Sequence, residues 1–188
     1  IEGITFSTVA PTSSDGSNGD YWYVRYAKPQ RAFDFIPNYN AGSALTGGLK
    51  FTVSSSVEIT GLAFWARTTE ISVHLSLSDG TELAGFNGVS AVLDSWNIYK
   101  LATPITLNPG TTYVVWGANS SGAMKYKKPF GSNAPFSYVS ACYAREKDVF
   151  PTIDEGETGY GVDVVLDVTV YLIYSQWHKE NGTWVQIE

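Results

Sequence analysis

Ile71-Ser72-Val73-His74-Leu75-Ser76-Leu77-Ser78-Asp79-Gly80-Thr81-Glu82-Leu83-Ala84 is the stretch that decides the fold class of this chain. Ile71, Val73, Leu75 and Leu77 alternate with Ser72, His74 and Ser76, the period-two pattern of a strand with one buried face. Ser78-Asp79-Gly80-Thr81 then supplies turn chemistry, and Glu82-Leu83-Ala84 opens the returning strand of a hairpin.

The same alternation extends in both directions. Leu49, Phe51 and Val53 share a parity, against Lys50 and Thr52. Val57 and Ile59 share one face, then Leu62, Phe64 and Ala66 share one. The phase slips by one residue at Gly61, where a bulge has little steric cost. Tyr99, Leu101, Ile105 and Leu107 lie on one parity, and Asn108-Pro109-Gly110 follows with the residues of a type II turn. Tyr113-Val114-Val115-Trp116 reads as a strand covered on both faces. Residues 162–173 read as one long strand. Val164, Leu166, Val168, Val170 and Leu172 form one face, and Asp163, Val165, Asp167, Thr169 and Tyr171 form the other. Residues 176–187 read as a hairpin about Asn181-Gly182. No segment holds a 3.6-residue period over three turns. The expected fold is all-β: an antiparallel β-sandwich, jelly-roll-like, with an extended N-terminal arm and a C-terminal hairpin.

The ends read differently from the middle. Residues 1–10 suggest one strand through Ile4, Phe6 and Val9, and residues 11–20 are Pro, Thr, Ser, Asp, Gly and Asn in linker proportions. Tyr21-Trp22-Tyr23-Val24 is a short aromatic run, and residues 28–48 read as loop. The boundaries are therefore placed at 1–38 for the arm, 39–174 for the sandwich and 175–188 for the hairpin. The sequence opens at Ile1 with no charged or apolar leader pattern, and we expect a preceding segment to have been removed.

Composition excludes several classes of function. Hydrophobic residues make up 44% of the 188, enough for a core, while charged residues are only 16%, against roughly a quarter in an average domain. The net charge of −6 offers nothing to a phosphate backbone, so no nucleic acid is expected as partner. No apolar run approaches the roughly 20 residues of a membrane-spanning helix, and no membrane insertion is expected. Cys142 is the single cysteine, so neither an internal disulfide nor a cysteine metal cluster can form.

Two successions of residues carry resemblances. Leu49-Lys50-Phe51-Thr52-Val53, Ile59-Thr60-Gly61-Leu62-Ala63-Phe64-Trp65, Leu75 to Ala84, Trp96, residues 104–115 and Gly159-Tyr160-Gly161-Val162-Asp163-Val164-Val165 follow one another in order. Over residues 48–167 the chain resembles a bacterial β-sandwich family of unassigned function, found in secreted and carbohydrate-associated proteins. Ser14-Asp15-Gly16-Ser17-Asn18-Gly19-Asp20-Tyr21-Trp22-Tyr23 and Trp177-His178-Lys179-Glu180-Asn181-Gly182-Thr183-Trp184 resemble phrases of bacteriophage tail, baseplate and fibre proteins, where the two commonly lie close together. The resemblances imply a sandwich inserted into a small fibre-type element whose halves still pair. Residues 175–188 would then lie against residues 19–26, with Tyr21–Tyr23 beside Trp177 and Trp184. No functional residue is carried over from either family.

Catalytic chemistry finds little support in the residues themselves. His74 and His178 lack any neighbouring motif, and Cys142 reads as a small buried apolar residue. Asp154, Glu155 and Glu157 cluster in a loop, while Asp163 and Asp167 punctuate a strand; a solvated acidic loop explains them. Calcium suits such oxygen ligands, but the spacing is not that of an EF-hand, and neither metal nor cofactor is expected. Aromatics are the better candidates, because sugar rings stack on Trp and Tyr while adjacent polar groups bind their hydroxyls. Phe51, Phe64, Tyr99 and Tyr113 share parity with aliphatics and are assigned to the core. Trp65, Arg67, Trp116 and Tyr126 are assigned outward, as a ligand platform.

The expected function is that of a non-enzymatic virion component of a phage tail or baseplate, extracellular, that binds cell-surface or cell-wall polysaccharide. Its other partners would be virion proteins. Two alternatives stand beside it: a purely structural capsid or tail decoration domain, and an accessory carbohydrate-binding domain of a secreted bacterial protein.

Overall fold

The computed structural model describes residues 3–27, 29–40, 45–122, 124–128, 130–156, 158–167 and 171–187, and among these every regular element is a strand. The chain begins with β1 (Ile4–Ser7) and β2 (Tyr21–Ala27). Short β3 (Gln30–Arg31) and β4 (Tyr39–Asn40) lead to β5 (Thr46–Val53), β6 (Val57–Trp65), β7 (Glu70–Leu77) and β8 (Glu82–Ser90). Next come β9 (Trp96–Leu107), β10 (Tyr113–Asn119), β11 (Lys125–Lys127) and β12 (Phe136–Ala144). After β13 (Ile153–Glu155), β14 (Gly159–Tyr160) and β15 (Val162–Asp167), the chain ends with β16 (Tyr171–Glu180) and β17 (Thr183–Gln186).

Two compact units result, Ile1–Pro29 with Thr169–Glu188, and Gln30–Val168. The larger unit is an antiparallel β-sandwich. One sheet has the order β13-β12-β5-β10-β7-β8 and the other β3-β15-β6-β9. Leu49 and Phe51 of β5, Leu75 of β7 and Val115 of β10 pack in one core with Leu62 and Phe64 of β6 and Val164 of β15. Phe51 and Phe64 are completely buried, so truncating either to Ala would cost about 3–5 kcal/mol. The slip expected at Gly61 is present: the β6–β9 register shifts between Ile59 and Gly61. β10 is buried along its whole length, as a central strand between β5 and β7 must be.

Four readings of the sequence are revised. β7 is not half-buried; Ser72, His74 and Ser76 are buried as well, because a second small cluster covers the outer face of this sheet. Residues 162–173 are divided between two sheets: β15 belongs to the sandwich and β16 to the other unit's sheet. Val168, Thr169 and Val170 lie outside the described residues. Within residues 28–48, β3 and β4 are paired strands and Phe33 and Phe35 enter the core. The compact boundary accordingly falls at Gln30, and at Val168 rather than 174. Among the described residues of the first ten, only Ile4–Ser7 is strand, and Val9 is exposed.

The smaller unit is a four-stranded sheet, β1-β2-β16-β17, drawn from both ends of the chain. β2 pairs antiparallel with β16, placing Trp22 opposite Trp177 and Tyr21 opposite His178. Trp184 meets the Trp22 ring edge-on at 5.8 Å. β16 and β17 form the hairpin about Asn181 (φ 49°) and Gly182 (φ 80°), two left-handed residues that the twist of a tight hairpin requires. Lys179 holds the preceding loop. Its ammonium is buried and donates to the carbonyls of Ser13 (2.9 Å), Asp15 (2.5 Å) and Gly16 (3.0 Å). A hydrogen bond to a charged group contributes about 1.5–3 kcal/mol, so Lys179→Met should destabilise this unit by at least that amount. Urea unfolding followed by Trp fluorescence would report an early transition in the variant; an unchanged midpoint would show that the carbonyl cage is incidental.

Candidate functional site

A third sheet, β14-β11-β4, is attached to the sandwich unit and carries the site. In its register Tyr126 is directly opposite both Tyr39 and Tyr160. Directly opposed residues project to the same face, so three phenol rings form a ladder across three strands. Tyr39 and Tyr126 are stacked at 5.5 Å and 29°, while Tyr126 meets Tyr160 edge-on at 6.4 Å.

The ladder is graded from core to solvent. Tyr160 is buried and donates its hydroxyl to Glu155 Oε2 at 2.7 Å. Burial, reinforced by that hydrogen bond and the Glu155 charge, pushes its phenol far above the usual range. Tyr126 is half-buried, and Tyr39 is 49% exposed. Gly47 makes room for the anchored end: a Cβ there would lie 2.5 Å from the Tyr160 ring.

Trp65 is joined to this ladder through Gly161. The Trp65 N–H donates to the Gly161 carbonyl at 2.8 Å, and the Gly161 N–H donates to the Lys125 carbonyl at 2.9 Å. A Cβ on Gly161 would fall 2.9 Å from the Cβ of Trp65, so only glycine permits the approach. Trp65 packs edge-on against Trp96, its cross-strand neighbour, at 5.9 Å. The Trp65 Nε1 is buried without a hydrogen-bond partner. Trp96 is fully engaged: its Nε1 donates to the Phe35 carbonyl at 2.9 Å, and the Arg31 guanidinium lies 4.0 Å over its ring.

The turn that presents Phe35 is held by a buried carboxylate. Asp163 accepts hydrogen bonds from the backbone N–H groups of Phe33, Asp34 and Val164. Arg31 Nη1 is 3.9 Å away, and its Nη2 pairs with Asp34 at 2.7 Å. Complete burial pushes the Asp163 carboxyl up to about 7, against the opposing pull of Arg31 and the three N–H donors. Burial likewise lowers Arg31, which its two carboxylate neighbours resist.

The four residues expected to form one platform are divided. Trp65 and Tyr126 come to the same region, and Arg67 is exposed just beyond β6, its N–H donating to Asn119 Oδ1 at 2.8 Å. Trp116 is elsewhere, and its assignment to that platform is corrected. β10 and β6 lie in different sheets, so residues pointing away from the core on each are on opposite faces of the sandwich. Trp116 is also buried, stacked on His74 at 4.2 Å, edge-on to Phe150 at 5.9 Å, with its Nε1 bonded to Ser76.

The two histidines have carboxylate neighbours. His74 Nδ1 lies 2.8 Å from Glu82 Oε2, and His178 Nδ1 lies 3.1 Å from Glu180 Oε1. Burial pushes the Cys142 thiol up to about 12, leaving it protonated at neutral pH. Asp154 pairs with Lys50 at 2.5 Å, and Glu157 lies outside the described residues. Among the described residues no group of His, Cys, Asp and Glu is arranged to hold a metal ion.

A family model described as a domain of unknown function (DUF4082) matches residues 34–162. A search among curated proteins finds no match.

Asp163 makes stability depend on pH in a stated direction. Its folded value of about 7 lies above the ordinary 3.8, so between these values the folded chain holds a proton that the unfolded chain has released. This carboxyl's contribution is therefore full below the ordinary value and declines as pH rises toward 7. Asp163→Asn should flatten the dependence of the urea midpoint on pH across that window; an unchanged slope would assign it to other groups.

Proposed function

The chain belongs to the DUF4082 family through the greater part of its sandwich, and we propose that it is a non-catalytic saccharide-binding module of a phage tail or baseplate. The stacked, half-exposed Tyr39–Tyr126 pair carries this reading. A pyranose ring offers an apolar C–H face and a rim of hydroxyls. Two phenols side by side offer the matching apolar surface, with hydroxyls of their own. The buried Tyr160 end fixes the pair in advance, so little rotamer freedom is lost on binding.

Such a surface is shallow, and affinity per copy would be modest. Display of many copies on one particle converts weak contacts into firm adhesion to a host surface, because each engaged site raises the effective concentration at the next. The small unit supports the virion assignment: the Gly-Asp-Tyr-Trp strand and the Asn-Gly-Thr-Trp hairpin, phrases of the phage resemblance, are hydrogen-bonded neighbours around the inserted sandwich.

A second reading, structural decoration, is favoured by one observation. Ile4, Phe6, Val185 and Ile187 of the small unit are each about half exposed or more, which suits an assembly contact. The two readings separate experimentally. Multivalent display of the protein over bacterial cell-wall polysaccharides should show specific binding. Tyr39→Ala or Tyr126→Ala should weaken it by about 1 kcal/mol or more per site. Trp116→Ala, in molecules that remain folded, should leave it unchanged. Absence of binding under multivalent display would leave decoration as the function.

A further inference from the structure

We infer that the saccharide bound at the tyrosine ladder is anionic, carrying carboxylate or phosphodiester groups. This rests on the saccharide-binding reading above and adds a charge requirement to it. The chain as a whole has a net charge of −6 with 12 Lys and Arg residues, so basic residues are scarce. Lys125, Lys127 and Lys128 are nonetheless placed on either side of Tyr126. Strand geometry keeps each of their Cα atoms within about 7 Å of that of Tyr126. That is inside a Debye length of about 8 Å at physiological salt.

The compensation of these charges is uneven. Lys125 pairs with Asp94 at 3.2 Å. Lys127 and Lys128 are exposed and pair with no carboxylate among the described residues. Among the described acids, Glu155 accepts from Tyr160 and Asp34 pairs with Arg31. Lys127 alternates with Tyr126 along β11 and so projects from the opposite strand face, and Lys128 follows the strand end. An extended polymer lying along Tyr39 and Tyr126 would carry its charges through the field of both lysines. Retaining two unpaired cations beside the only stacked tyrosine pair among the described residues favours a ligand that brings its own negative charge. In a chain repelled overall by such a polymer, the same cations would also select this face for first encounter.

The experiment measures binding of the full chain to four probes. These are polygalacturonate, its methyl ester, an N-acetylglucosamine-substituted poly(ribitol phosphate), and neutral N-acetylglucosamine oligomers. The expected result is that at least one acidic polymer binds about tenfold or more tightly than its neutral counterpart. That preference should vanish in 1 M salt and in the double variant Lys127→Gln/Lys128→Gln, while Tyr126→Ala weakens acidic and neutral binding alike. Which acidic polymer prevails distinguishes carboxylate from phosphodiester as the source of charge. Equal binding of acidic and neutral forms, lost in Tyr126→Ala, would overturn the charge requirement and leave the saccharide reading standing. Acidic binding lost in the lysine variant but untouched by Tyr39→Ala and Tyr126→Ala would reduce the site to charge attraction and overturn both. Binding of none of the four would overturn both as well.

Discussion

The presentation of the site depends on one buried carboxylate. Asp163 lies on β15 with no solvent exposure and gathers the N–H groups of Phe33, Asp34 and Val164. That fixes a turn in which Asp34 is left-handed (φ 44°). The turn in turn supplies the Phe35 carbonyl to the Trp96 indole and directs Phe33 into the core against Phe51 and Phe136. A buried ion costs several kcal/mol of desolvation unless its lone pairs are satisfied. Here three backbone donors and Arg31 share that cost, and the residual strain is expressed in the raised value of the acid. The chain has a single cysteine and no helix among its described residues. Closure of this end of the sandwich therefore relies on this polar knot and on the aromatic packing around it.

Rigidity behind a shallow surface is what a weak binder needs. The ladder begins at Tyr160, buried against Gly47 and bonded to Glu155, and ends at a ring that is half in water. The two inner rings are set by strand register rather than by rotamer choice. Trp65, tied through Gly161 to Lys125, sets β11 against β6, so the small sheet cannot shift without disturbing the sandwich. The aromatics of the opposite face serve another purpose. Trp116, with Phe150 against it, covers a face of β7 that would otherwise expose His74 and Ser76.

Period-two alternation was enough to read β5, β6, β7 and β9, because each buries one face against the same core, whereas β12 was not read as a strand. The hairpins at Asp79-Gly80 and Asn181-Gly182 were equally legible, since φ > 0 at Gly80, Asn181 and Gly182 narrows the choice of residue, and so was the phase slip at Gly61. The site was only half legible. Parity told correctly that Trp65 and Trp116 point away from the core, but parity carries no record of which sheet a strand joins. Tyr39 was hidden for a different reason. β4 has two residues, too few for any pattern, and it is a strand only because β11, far along the chain, pairs with it. Tyr160 stood in plain view beside Gly159, yet its role comes from a register that no local rule supplies. Burial of His74 and Ser76 was invisible too, because what covers them arrives from elsewhere in the chain, Trp116 from β10 with Phe150 of a loop against it.

The small unit raises the same point at the level of whole segments. β2 and β16 come from opposite ends of the sequence, yet they pair in register through Trp22 and Trp177. Neither half could stand alone, since an isolated hairpin is marginal in water. The intervening sandwich, by contrast, has its own core and its own closing knot at Asp163. A self-sufficient domain carried between two halves that need each other can vary its surface without disturbing what holds the halves together. The tyrosine ladder lies wholly within the self-sufficient part. Its rings and lysines are thus free to vary, while Lys179 and the paired tryptophans answer only to the requirements of the frame.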